Sequence, residues 1–367
     1  MVEGVVGPDG MWPVVVRYPD GPVEAVAEAD ALDAARQAQT LLVRGPLFGV
    51  VAQDPGEAPR WRVVVPVTAG SPQEARDGLN SLVWFRAKDE ARNREERRVL
   101  LAALRRLETE RVDELTVLGT RYRVVRAEEY AGAGPDGIEL PRPTDPEPAV
   151  ADWGHGKREP DVDEDLVLDP EAPITPTQAA ERLALRGLVY SGIRFPEDVL
   201  HDSQRALETH PDVLLLPTGF RVLENNGDSE GWTTGGGLHT TAHGTRRTLD
   251  FGLTWFEPRH RGLIPIEADR ETDARTVVAE GTDPAAPELA EYVEAADRLR
   301  TERANQVEVQ GTVHRICRVR RLMRWSPDGP EGPRPSDTDS HPPEKIRPTL
   351  DEDGNIRHDL DPDPEDV

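Results

Sequence analysis

The 367-residue sequence predicts an α+β protein of two related halves, each an antiparallel sheet with packed helices, with an acidic linker between them and an acidic tail behind. Three observations carry this. The phrase "TVLGTRYRVVR" at 116–126 returns as "EVQGTVHRICR" at 308–318, and the match extends without a gap over 109–145 and 301–337, with sixteen identities in 37 positions. Strand-like runs come in pairs about Gly or Pro turns, while helix-like runs open on capping boxes. The negative charge is concentrated: of a net −25, residues 145–180 hold −8 and residues 331–367 another −8. The chain therefore divides into a first repeat at 1–145, a Pro-rich acidic linker at 146–172, a second repeat at 173–330 and a tail at 331–367. That tail has too few apolar side chains to offset the entropy of ordering it, so disorder is expected there.

In order along the chain, "PVVVRY" at 13–18 reads as a strand and 22–43 as an alanine-rich helix. Residues 47–53 and 60–67 read as a strand pair across "DPGEAP". Ser71, Pro72 and Glu74 supply N-cap, N1 and N3 of a helix whose apolar face runs through Leu79, Leu82 and Val83 and resumes at Val99, Leu100, Ala103, Leu104 and Leu107. Strands at 114–118 and 121–128 close the half, giving a β-α-β-β-α-β order with one extra strand that resembles a ferredoxin-like sandwich. In the second half, Thr175-Pro176-Thr177-Gln178 opens a helix to about 186, and a second spans 196–209. Strands follow at 212–216 and 219–224, then a Gly/Thr loop at 226–245, strands at 247–256 and 261–267, helices at 270–280 and 285–304, and a hairpin to Trp325. A shorter ungapped match, "PVTAGSPQEAR" at 66–76 with "PIEADRETDAR" at 265–275, extends the repeat, and "VLLLPTGFRVLE" at 213–224 echoes it once more. Among the retained residues, Gly119 and Gly311 sit between β-rich runs where φ is often positive, and both Pro-Asp-Gly triplets have β-turn chemistry.

The charge balance argues against nonspecific nucleic-acid or anionic-membrane binding, because the attraction would have the wrong sign. No apolar run approaches a membrane span, and the N-terminal residues lack the basic and apolar regions of a signal peptide, so a cytoplasmic location is expected. The single cysteine, Cys317, excludes an internal disulfide framework and a multi-cysteine zinc site.

The run "SPQEARDGLNSLVWFRAKDEARNREERRVLLAALRRLETERVDELTVLGTRYRVVRAEE" resembles an actinobacterial, largely streptomycete, family known only as a domain of unknown function. The likeness is closest over 60–145. It implies a bacterial cytoplasmic setting and transfers no site residues.

His239 and His243 in "GGGLHTTAHGT" have the i, i+4 spacing of zinc hydrolases, but Thr240 stands where the general-base glutamate belongs, and the surrounding residues favour a loop. Gly235-Gly236-Gly237 lacks the Lys-Ser/Thr of a phosphate loop. Cys317 falls where the first copy has Val125, which suits a small buried hydrophobe better than a nucleophile. Arg315, Arg318, Arg320, Arg321 and Arg324 make the last hairpin basic, which suits either an anion or nucleic-acid patch or internal pairing with acids on neighbouring strands and the tail. The leading expectation is a non-enzymatic cytoplasmic binding or scaffold protein about a pseudo-two-fold axis, with no cofactor and with a protein partner or self-association. The alternatives are a metal-dependent hydrolase at the 232–247 loop and an anion or nucleic-acid binder at the 313–324 hairpin.

Overall fold

The computed structural model describes residues 10–154, 159–227 and 231–357. The first half opens with α1 (Pro22–Gln37), then the hairpin β1 (Thr40–Gln53) and β2 (Trp61–Ala69). Two helices follow, α2 (Pro72–Phe85) and α3 (Arg94–Thr109), separated by a π-helical turn at Arg86–Glu90. A second hairpin, β3 (Glu114–Val117) and β4 (Thr120–Gly134), ends in the short β5 (Gly137–Ile138). The Ser71 hydroxyl accepts from the Glu74 amide and Asn93 caps α3 through Glu96, so both helices begin where polar side chains satisfy the first free N–H groups. Strands here come as two hairpins around a helix pair. Residues 13–18, read as a strand, contribute only an isolated bridge from Val16 to Ile174, and the predicted 22–43 helix stops at Gln37 so that β1 can begin.

Beyond β6 (Val167–Leu168) lie α4 (Pro176–Leu185), α5 (Glu197–Thr209), β7 (Asp212–Leu215), β8 (Gly219–Asn225) and β9 (Thr233–Thr234). Next come α6 (Ala242–Phe251), a π-turn at Gly252–Phe256, α7 (Glu257–His260), α8 (Ala274–Glu280) and α9 (Ala286–Thr301). The chain then forms β10 (Gln306–Val309), β11 (Thr312–Ser326) and β12 (Gly329–Pro330). The strands expected at 247–256 and 261–267 are therefore helix and turn. Thr241 caps α6 by accepting from the Gly244 amide, and the buried residues Ala242, Arg246, Leu249 and Leu253 recur at helical spacing. The β-branched and aromatic residues that suggested a strand yield to that tertiary pattern. The 66–76 and 265–275 segments also differ: the first ends β2 and begins α2, whereas the second is turns leading into α8.

All named strand pairs are antiparallel and belong to one curled sheet, whose principal order is β6-β2-β1-β4-β11-β8-β9. One core packs α2 and α3 on β1 and β4 through Leu79, Val83, Leu100, Leu104, Tyr122 and Val124. Another packs α6 and α9 on β8 and β11 through Leu249, Leu253, Tyr292, Leu299, Val222 and Ile316. A third, on Trp12, Trp61, Val125, Met323 and Trp325, includes Leu168 of the acidic linker. That linker is also built into the interior through Asp163, which is 2% exposed.

Residues 331–357, expected to be disordered, lie against the first half. Leu350 is buried in the α2–α3 core, and the Trp84 indole donates to the Pro348 carbonyl at 2.8 Å. The acids of this segment meet cations on those helices, Asp339 with Arg76 and Glu352 with Arg98, so its charge assists its docking. Residues 358–367 lie outside the described residues.

Two predictions follow from the fold. The Leu118–Gly119 and Gln310–Gly311 turns have φ of 50° and 87°, and 51° and 75°, the paired positive values of a tight hairpin turn. Gly119→Val and Gly311→Val should each lose about 1–3 kcal/mol, read as lower urea midpoints. Truncation after Asp337 removes Leu350 and should lower stability by at least about 2 kcal/mol; an unchanged melting curve would contradict the docking of this segment.

Candidate functional site

Within the sheet, the strands of the two halves meet along one short seam. β4 and β11 pair Tyr130 with Arg320, Glu129 with Arg321, Glu128 with Leu322 and Ala127 with Met323. Alternation puts Glu129 and Arg321 on one face and Tyr130 and Arg320 on the other. On the first face Arg321 is fully buried. Its Nη atoms donate to both Asp163 carboxylate oxygens at 2.7 Å, and Nη1 also reaches the Val67 carbonyl. Beside it, Glu129 accepts from Arg221 at 3.0 Å and faces Arg44 at 3.5 Å. Charges this deep need partners with good geometry, and these have them.

On the second face the segments after β5 and β12 clip onto the seam in the same manner. In "PRPTD" the Arg142 amide donates to Asp145 at 2.7 Å, and Asp145 accepts from Arg318 Nε at 3.1 Å. In "PRPSD" the Arg334 amide donates to Asp337 at 2.7 Å, and Asp337 accepts from Arg126 Nε at 3.0 Å. Each arginine of the motif also binds the glutamate three residues before it, Glu139 and Glu331. The main chain repeats the pattern, Arg318 N to Glu139 O at 2.9 Å and Arg126 N to Glu331 O at 3.0 Å. Both segments thus leave one half and fasten to the long strand of the other.

Past the clips the segments reach helix pairs. Arg76 on α2 binds Asp113 through Nε and Nη2 and Asp339 through Nη1. Arg246 on α6 binds Asn305 through Nε and Nη2 and Glu147 through Nη1. The atom-by-atom correspondence shows why the arginines need their full fork: each guanidinium ties a helix to its own hairpin and to the incoming segment.

Around the seam the two sides differ. Near β4, Tyr190 fills the space, donating its hydroxyl to Glu128, which also pairs with Arg126. Near β11 a groove of about 980 Å³ opens between α1, α4 and the seam. Its floor is Tyr130, whose hydroxyl donates to Glu181 at 2.8 Å, and Arg320, which bridges Glu181 and Glu139. Burial and then the Glu181 carboxylate push the Tyr130 phenol well above its ordinary range, so at neutral pH it is a donor. Burial opposes the Arg320 charge, but Glu181, Tyr130 and Glu139 more than offset this and hold it protonated.

The five arginines of the last hairpin point to internal partners. Arg318 holds Asp145 and Thr218, Arg320 holds two glutamates, and Arg321 holds Asp163. Arg315 donates to the Asp136 carbonyl and Arg324 to the carbonyls of Leu188 and His210. Among the described residues, none of the paired acids comes from the tail.

His239 and His243 turn to different partners. His239 Nδ1 lies 3.2 Å from Glu159, while His243 Nε2 lies 3.0 Å from the Asp152 carbonyl and its ring packs edge-on against Trp153. Hydrogen bonding to His239, then Arg247, keeps the Glu159 carboxyl below its usual range despite burial. Among the described residues no group of three or more His, Cys, Asp or Glu side chains is placed to hold a metal ion. Cys317 is fully buried, and burial pushes its thiol up to about 12, so it stays protonated at neutral pH. No helix among the described residues is long and apolar enough to cross a membrane.

The arrangement is that of an α+β protein whose seam, clip and helix-node charges join its own parts. The chain belongs to the family of unknown function DUF5954, which matches residues 21–340. No curated protein and no solved structure matches it.

Asp163→Ala should cost about 3–5 kcal/mol, because it leaves Arg321 charged and unpaired in the interior. Urea denaturation would show this as a markedly lower midpoint, and a shift below about 1 kcal/mol would mean that water or a neighbour takes over the partnership.

Proposed function

We propose that this chain is a non-enzymatic binding or scaffold protein, made of two related halves about a pseudo-two-fold axis through Glu129 and Arg321. The register at the seam carries the reading. Arg321 stands 192 residues after Glu129, the same separation as the two copies of the repeated phrase, so an antiparallel pairing centred on these two residues sets each copy against the other symmetrically. The matched clips at Asp145 and Asp337 support it, as do the matched nodes at Arg76 and Arg246. So does the spacing of the elements: α3 and α9, β3 and β10, β4 and β11, and β5 and β12 are each 192 residues apart. A segment from each half fastens the other, as when two subunits exchange arms.

The way the titratable groups are used supports the non-enzymatic reading. The seam carboxylates neutralise seam arginines, the Tyr130 phenol and Cys317 thiol are held protonated, and the two histidines bind separate partners. These are the uses of residues that build a surface for something else to bind, whether a small molecule, another protein or a second copy. A cytoplasmic setting suits the single reduced cysteine.

Native mass spectrometry and metal analysis of untagged full-length protein test the reading. The expected result is no stoichiometric metal, with the mass of either a co-purifying molecule or an oligomer. A stoichiometric metal that disappears in both His239→Ala and His243→Ala would overturn it in favour of a metal-dependent enzyme at that loop.

A further inference from the structure

We infer that the groove beneath α1 is the binding site of an uncharged, largely apolar small molecule, and that α1 is the part of the protein the ligand completes. The inference rests on the non-enzymatic binding reading above and adds the site and the ligand class. At about 980 Å³ the groove has the capacity of small-molecule pockets in general.

The helix that roofs it is anomalous. None of the sixteen residues of α1 is buried, although amphipathic helices ordinarily derive their stability from a buried face. Its Ala27, Ala31, Leu32 and Ala35 side chains line the groove, and Leu32 remains 43% exposed. What holds α1 in place is polar. Glu28 accepts from the Thr177 amide and hydroxyl, both at 2.6 Å, and Asp30 accepts from Thr144. The facing wall is also open: Ala180 and Ala184 of α4 are exposed into the same space. A molecule lying between the helices would remove both apolar faces from water at once, at ~25 cal/mol for each Å² covered.

Charge argues against an anion, and the Glu28 carboxylate of the lining is already taken up by the Thr177 amide and hydroxyl. Every arginine in the lining faces a carboxylate: Arg17 with Glu24, Arg142 with Glu139, Arg318 with Asp145, Arg320 with Glu181. Among the described residues of the lining an anionic ligand finds no free cation, and it would have to break one of these pairs. A neutral ligand leaves them intact, with the half-buried Thr218 hydroxyl at the floor to meet a single polar group.

The test uses full-length protein and two fluorescent probes, uncharged Nile red and anionic 8-anilinonaphthalene-1-sulfonate. Nile red should bind saturably at one site per chain. Ala184→Trp and Ala31→Trp, which fill the groove from opposite walls without displacing a buried residue, should each weaken it about tenfold or more, while Ala29→Trp, outside the groove lining, should not. The anionic probe should neither bind comparably nor displace Nile red. Hydrogen exchange across 22–37 should slow when Nile red is bound. No saturable Nile red binding, binding that neither Trp variant affects, or equal binding of the anionic probe at this site would each overturn the inference. A metal found at His239 and His243 would sink the functional reading and leave the probe result standing, so the two failures are distinguishable.

Discussion

The four-pair seam between β4 and β11 is the constraint on which the remaining structure depends. It is the link by which the sheet order passes from the β1–β2–β4 strands to the β8–β9 strands. Its centre places a glutamate opposite an arginine, and neither is left exposed. Antiparallel backbone pairing supplies the hydrogen bonds, but two buried charges at the middle of a short ladder would undo the gain unless other groups reached them. Asp163 from the linker and Arg221 from β8 do so. The linker is therefore tied into the interior of the fold through Asp163, while Asp161, Glu164, Asp165 and Glu171 stay exposed.

The same constraint shapes the other face. Both clip segments carry the charges that neutralise the long strands, Asp145 for Arg318 and Asp337 for Arg126. Asp337 shows how closely balanced this is, since burial holds its carboxyl above the usual range against the pull of Arg126. With the folded value raised, its ionisation opposes folding at neutral pH, and this part of the cost is relieved as the pH falls through the folded value toward the ordinary one. Its return is orientation: the aspartate caps the Arg334 amide and aims the segment at Arg76. On the opposite side, no described residue fills the space as Tyr190 does, and a groove results.

Much of this was legible in the residues. Each capping box became a helix start, and the repeated 37-residue phrase corresponds to elements of equal length, β3 and β4 against β10 and β11. The clip could have been read too. Glu139, Arg142 and Asp145 return as Glu331, Arg334 and Asp337, and Arg126 returns as Arg318, so the charges that pair are among the identities. Their proline setting drew attention to chain reversal instead. What could not be read was α6, because "TAHGTRRTLDF" has weak helix formers whose periodicity matters only once a sheet lies beneath it. The groove was equally hidden, since its walls come from α1, α4 and β11, which are distant in sequence and meet only in the fold.

Local chemistry by itself determined the turns, the helix starts and the α+β class, because those depend on neighbours within a few residues. Net charge concentrated at the linker and tail was also plain from composition, but its meaning was not. A run of carboxylates is disordered if nothing meets it and ordered if arginines wait at the right distance. Only the tertiary structure supplied those arginines: Arg76, Arg126 and Arg321, each more than 150 residues from its acid. Coulomb and hydrogen-bond energies depend on separation in space, and separation in space is what the fold decides.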